Sequence, residues 1–357
     1  MERFVECFEE VEDPRAANAW HDLNELLFIA LLASLCGAQN CSDMSEFGRS
    51  KEPLLRQFLR LEHGIPSHDT FSRVFRLLDP EPFEAAFRDF MGKFAEGLDG
   101  VVALDGKALR RAYEKGHSHQ PRMMVSAFAA RTRLALANHL AKGQDERTAV
   151  LQLIGLLSLK GMIVTADALH GHPAMAEAII SRGGDYVLRL KGNQPTLLRE
   201  AKAALEGAGV RHAETKDDSH GRNGTRIAAV VPAAAMALRR NIKGLQAVAR
   251  IISIRSGQKP EERYYLLSRR FTPKRLLAIA RQHWAIENQL HWVLDVVLDE
   301  DLARSRKDNA PQNLAILRRL ALNIARSHPD KKTSLRRMIL RAGWDDCYLL
   351  SMIAQMR

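Results

Sequence analysis

Val101-Val-Ala-Leu-Asp-Gly-Lys107 and Met162-Ile-Val-Thr-Ala-Asp167 are short apolar runs, each delivering a carboxylate at its end. Runs of this length, rich in branched aliphatics and bounded by polar residues, read as buried strands. Between them, Met123 to Phe128 and Leu134 to Leu140 are two further apolar runs separated by Ala-Arg-Thr-Arg, which implies an antiparallel meander with the first strand. Glu146 to Leu159 then reads as a helix stopped by Lys160-Gly161. Strand, helix, strand implies a right-handed crossover that makes the strand at 162 parallel to its neighbour. Ligands collect at the carboxyl ends of such strands, so Asp105 and Asp167 are expected on one rim. A fifth strand, Asp185-Tyr-Val-Leu-Arg-Leu-Lys191, leads through Gly-Asn-Gln-Pro195 into a helix from about Thr196 to Glu206.

Outward from this core the patterns change. Residues 1–98 are helical in periodicity and read as a small domain of their own, with Leu23 to Leu35 an apolar helix. Within it, Gly64 to Leu78 offers a turn, a Ser67 cap and a short helix, similar to the second half of a helix-turn-helix and a candidate DNA-binding element. The alternative is that Phe71, Val74, Phe75 and Leu78 simply pack a helical domain. Residues 99–327 read as a second, mixed strand-and-helix unit, interrupted at about 193–272 by a strand-rich insertion whose His220-Gly-Arg-Asn-Gly224 is a hairpin turn signal. A helical segment, 328–357, closes the chain.

The third acid comes from Arg281-Gln-His-Trp-Ala-Ile-Glu-Asn-Gln-Leu-His-Trp-Val-Leu-Asp295, read as one helix. His283, Glu287, His291 and Asp295 recur every four residues and so share a face. Ile286, Leu290, Val293, Leu294 and Val297 make the apolar stripe beside it, which sets Glu287 where a buried face meets a cleft. Two other readings fit this stretch alone: a solvated polar face, and a zinc site shared by His283, Glu287 and His291. The stretch lacks the His-Glu-x-x-His order of helical zinc hydrolases.

The chain of 357 residues carries a formal charge of +11 spread along its length, which favours a polyanionic partner, nucleic acid first. The longest apolar run, Leu26 to Leu35, is too short to span a bilayer, and the N-terminus lacks a secretory pattern. Cys7, Cys36, Cys41 and Cys347 have no metal or redox spacing and read as reduced thiols, so a cytoplasmic location is expected. No phosphate-binding Gly-x-x-x-x-Gly-Lys-Ser/Thr loop and no Gly-x-Ser-x-Gly elbow occur.

Three carboxylates without cysteine select a hard cation, Mg²⁺ or Mn²⁺. A pair of such ions roughly 4 Å apart suits in-line phosphoryl transfer. Ala103-Leu-Asp-Gly-Lys107, Thr165-Ala-Asp-Ala-Leu-His170, Asp185-Tyr-Val-Leu-x-Leu-Lys-Gly-Asn-Gln-Pro195 and His283-Trp-x-Ile-Glu-Asn-x-Leu-His-Trp-x-Leu-Asp295 together resemble the DDE transposases of bacterial insertion sequences, in the H-repeat-associated group. Gly64-Ile-Pro-Ser-His-Asp-Thr-Phe71 is similar to the domain associated with them.

The resemblance implies an α/β, ribonuclease-H-like mixed core of five strands, the first three antiparallel, with helices on both faces. It makes Asp105, Asp167 and Glu287 the catalytic acids, holding two Mg²⁺ ions, with Mn²⁺ as substitute. It implies cleavage of double-stranded DNA at terminal inverted repeats and strand transfer into a target, by a homodimer or higher synaptic multimer. Lys107, Lys191, Asn193, His283, Trp284, Asn288 and His291 are the expected DNA contacts. The wider group's Tyr-x-x-Arg-x-x-x-Glu, with a lysine seven residues on, is replaced here by Ala280, His283, Glu287 and Leu294. Rival readings are a metal-dependent nuclease without strand transfer and a transposase-derived DNA-binding protein.

Overall fold

The computed structural model describes residues 2–354 apart from 18, 96–98, 115–116, 168–170, 207–210, 218–223 and 256. His170 and most of the turn signal at 220–224 therefore lie outside the described residues. Six helices come first: α1 (Glu2–Phe8), α2 (Leu23–Leu35), α3 (Cys41–Ser50), α4 (Glu52–Leu55), α5 (His68–Leu77) and α6 (Pro80–Ala95). Helix α2 is apolar all round and correspondingly buried on nearly every side. Ser67 caps α5 as its sequence implies, its hydroxyl accepting from the Thr70 N–H at 3.3 Å.

The sheet has nine strands in the order β3-β2-β1-β4-β5-β9-β8-β7-β6. Strands β1 (Gly100–Glu114), β2 (His117–Ala129) and β3 (Leu134–Ala141) form the antiparallel meander. After α7 (Glu146–Gly155), β4 (Met162–Ala166) lies parallel to β1, and after α8 (Pro173–Ser181), β5 (Asp185–Leu190) lies parallel to β4. This is the ribonuclease-H-like core that the resemblance implies. Following α9 (Pro195–Leu205), the insertion strands β6 (Arg211–Asp217), β7 (Gly224–Pro232), β8 (Ala247–Arg255) and β9 (Glu261–Leu267) continue the same sheet, because β9 pairs antiparallel with β5.

Two expectations need correction here. Strand β1 does not end at Lys107 but runs on to Glu114, paired with β2, so Asp105 sits within a strand. What ends at this point is the parallel ladder, whose last pair is Leu104 with Ala166. The stretch 281–295 is not one α-helix either. Helix α10 (Pro273–His283) gives way to a π turn at Ile286–His291, then α11 (Trp292–Val296). The Trp292 N–H donates to the Glu287 carbonyl five residues back, the π pattern. Ile286, Leu290, Leu294 and Leu298 are buried at four-residue spacing, which suits the wider turn and keeps one row against the sheet.

Helix α12 (Ala310–Ser327) is the spine, followed by α13 (Leu335–Trp344) and α14 (Asp346–Ile353). Asn323 on α12 acts as a side-chain strand for β3: its Oδ1 accepts from Ala135 N–H at 2.9 Å and its amide donates to Ala135 O at 2.7 Å. Removing it would leave two buried backbone groups unpaired, at about 1–3 kcal/mol each. The N-terminal helices share one apolar cluster with α12 and one sheet face, from Phe4 through Val102 and Leu104 to Met352. The opposite face, including Val101, Ala103 and Ile163, is covered by α10, the π turn and α11. Among the described residues no helix is long and apolar enough to cross a membrane.

Candidate active site

Strand alternation aims the acids. Val102, Leu104, Val164 and Ala166 point into the cluster shared with α12, so Val101, Ala103 and Asp105, with Ile163, Thr165 and Asp167, take the other face. Because Leu104 pairs with Ala166 in a parallel ladder, Asp105 and Asp167 follow side by side at its end. Glu287 is carried over them by the π turn. All three line one cavity of about 90 Å³, with Thr165, Arg189, Arg263, Tyr265, His283 and Trp284 among its walls.

Crowding of like charges is evident. The Asp105 carboxyl is pushed up to about 7, first by burial, then by Glu287, with smaller contributions from Glu146 and Asp167. Burial, then Asp167, also raises Glu287, against the pull of Arg263. The two histidines are neutral. Burial takes His283 down to about 4, and burial with Arg319 and Lys107 takes His291 down to about 3. His283 Nδ1 lies 3.0 Å from Thr165 Oγ1, and His291 Nδ1 lies 3.5 Å from Asp105 Oδ2.

Among the described residues no three Asp, Glu, His or Cys side chains are arranged closely enough to hold a metal ion as they stand. One reason is visible at Asp167, which Arg189 engages through Nη1 at 3.0 Å while Lys191 stands 3.9 Å away. Arg189 also reaches Glu261 at 3.6 Å, and Glu261 holds Arg263 by paired contacts of 2.8 and 2.7 Å. Arg263 lies over the Trp284 ring, 5.4 Å from its centroid. The donor set nevertheless fits a divalent cation: it is all carboxylate oxygen, and burial with mutual repulsion raises Asp105, and raises Glu287 even against Arg263, a crowding that a bound cation would relieve.

A family model described as "Transposase DDE domain" matches residues 96–324, and one described as "DDE_Tnp_1-associated" matches residues 5–91. The chain belongs to the DDE transposase family. It is 34% identical to protein YbfL of Escherichia coli (strain K12), covering 96% of this chain and 95% of the relative. It is 33% identical to "H repeat-associated putative transposase YhhI" of the same organism, covering 94% of this chain and 93% of the relative. A solved piggyBac transposase synaptic complex with hairpin DNA aligns over 99% of this chain and 77% of its own, at 12% identity and a TM-score of 0.49.

The other residues anticipated for this DDE transposase fall into three places. His283 and Trp284 line the cavity, Lys191 and Asn288 are exposed beside it, next to Asp167 and Glu287, and Asn193 is exposed two residues beyond Lys191; the Asn288 amide donates to the Trp284 carbonyl at 3.1 Å. His291 lies beneath Asp105, largely covered. Lys107 departs from expectation: it is 7% exposed, and its ammonium sits 2.7 Å from Asp295, 2.9 Å from Asp301 and 3.4 Å from Glu300. It shares the face of Asp105 and is covered by the end of the glutamate-bearing helix, so it holds that helix rather than a phosphate. Asp295 is likewise a partner of Lys107. Arg189 and Arg263 were not anticipated, though Val187, Arg189 and Lys191 alternate onto the same face as the acids, a signal present in the sequence.

Proposed function

We propose that Asp105, Asp167 and Glu287 form a single phosphoryl-transfer centre that cuts double-stranded DNA at the ends of an insertion element and joins the freed 3′ ends to a target. The observation that carries this reading is the register: two aspartates abreast at the end of the β1–β4 ladder, with Glu287 in the same cavity. The three acids would hold Mg²⁺, or Mn²⁺ in its place, as two ions. When bound, the ions supply Lewis acidity and an activated attacking oxygen. Arg263 and Arg189 are placed to receive a phosphodiester oxygen, Arg263 held by Glu261 and Trp284 so that its guanidinium arrives ordered. His283 and His291, being neutral, orient Thr165 and Asp105 and add no competing cation. Family membership supports paired element ends as the substrate and at least two copies of the chain acting on them.

The test is cleavage and end-joining of DNA carrying the sequences that flank the gene, with Mg²⁺ present. Asp105→Asn, Asp167→Asn and Glu287→Gln should each lower both products by at least about a thousandfold while duplex binding persists. Undiminished cleavage by any one of the three would remove that acid from the centre. Cutting without joined product by the unaltered protein would reduce the reading to a nuclease.

A further inference from the structure

A groove of about 1090 Å³ lies apart from the acidic cavity, between the starts of α3 and α5 on one side and the segment 299–310 on the other. Its construction is firm. Arg76 on α5 pairs with Asp308 at 2.7 Å, Asn309 N–H donates to Arg76 O at 3.2 Å, and Arg318 donates to Gln39 O at 3.0 Å. Arg304, Arg306 and Lys307 are on its wall with part-exposed Arg111 from β1. The acids on the same wall are turned aside: Asp43 accepts from the Gln39 N–H at 2.8 Å, and Asp299 is taken by the Gln39 amide. Arg111, Arg304, Arg306 and Lys307 outnumber Asp43 and Asp299 along it, so the groove is net positive.

It is also coupled to the acidic cavity. Arg111 stands six residues along β1 from Asp105, at most about 20 Å at the usual strand rise because the strand bulges between Leu109 and Tyr113, or up to about six base pairs of duplex. The segment 299–310 begins with Glu300 and Asp301, which Lys107 clamps to β1, and Arg319 on α12 holds Glu300 at 2.8 Å. The N-terminal half of α5, with His68 and Ser72, opens on the groove as the end of a helix does when it reads base edges.

We propose that this groove seats the duplex next to the cleavage point, with Arg111, Arg304, Arg306 and Lys307 on its phosphates. The assignment rests on the DNA-cutting reading above and adds the surface that holds the substrate. A small anion would be met by one or two cations; four spread along a groove of this size match a backbone of repeating charge.

The test uses the full chain and a 30-base-pair duplex of arbitrary sequence, with affinity measured by fluorescence anisotropy from 50 to 200 mM salt. R304S/R306S/K307S should lower the slope of log affinity against log salt by about 2.7, at about 0.9 per phosphate lost. Its deficit relative to the unaltered protein should then shrink about 40-fold across that salt range. K331S/K332S/R336S removes the same charge beyond the far end of α12, and should leave the slope unchanged. Equal slopes for all three proteins, or equal losses in both variants, would overturn the groove. Intact binding by the groove variant with normal cleavage would overturn it while leaving the catalytic reading standing. No duplex binding by the unaltered protein would overturn both. An unchanged melting temperature in each variant excludes misfolding as the cause.

Discussion

Replacing Lys107 by methionine separates its structural part from a DNA-contacting one. The ammonium is surrounded by Asp295, Glu300 and Asp301, with side chains 27%, 1% and 16% exposed. Breaking a buried ion pair on one side costs about 3–5 kcal/mol, because the remaining charge is stranded. Arg319 continues to serve Glu300, and Arg110 reaches Asp301 at 3.1 Å, so Asp295 suffers most. Its carboxyl is already raised, mainly by burial, against the pull of Lys107. Without the lysine it rises further above its unfolded value. The folded chain then holds a proton that the unfolded chain releases, so the deficit grows as pH rises. At about 2 °C per kcal/mol, the low end for long chains, K107M should melt about 6–10 °C lower at pH 8. The gap should narrow by pH 5. Differential scanning fluorimetry across that range, beside duplex anisotropy, decides the matter. A pH-independent change of under about 1 °C, or lost DNA affinity with melting intact, would refute the reasoning and return Lys107 to the DNA surface.

Glu84 offers a second pH test away from the acidic cavity: burial pushes its carboxyl up to about 8, while its Oε1 accepts from Asn138 N–H at 2.6 Å. Stability should therefore fall as pH rises from about 4.5 to about 8 by up to about 1.4 kcal/mol per unit, and Glu84→Gln should flatten that part of the melting profile. An unchanged profile would mean that Glu84 does not stay protonated in the fold. Arg189→Gln frees Asp167 from its 3.0 Å partner and should tighten Mn²⁺ binding to the DNA-free protein about tenfold, read by electron paramagnetic resonance. Weaker binding would show that the arginine orients the acid instead of competing for it. Asn323→Ala should lower stability by about 2–6 kcal/mol through the two orphaned groups of Ala135, measured by chemical denaturation.

Much of the core was legible because strand periodicity is short and strict. Val101, Ala103 and Asp105 alternate against Val102 and Leu104, and the crossover rule then sets β4 beside β1 with Asp167 on the same rim. The same alternation carries on to Lys107, whose inward position could have been read from it and from the acidic run Asp299-Glu300-Asp301. The joining of the insertion to the core sheet was not legible, since β5 and β9 are distant in sequence and edge pairing leaves no local mark. Nor was the π turn, because apolar residues at 286, 290 and 294 are compatible with either helix type and the difference lies in which carbonyl each N–H reaches.

That turn makes chain length a determinant of chemistry. Between the fixed end of α10 and the buried Leu294 there is one residue more than a regular helix would use, and the surplus is absorbed where Glu287 is mounted. Excising a single residue there would let the coil tighten and swing the carboxylate about a quarter of the way round its axis. The cavity would lose its third acid with every side chain in the set still present.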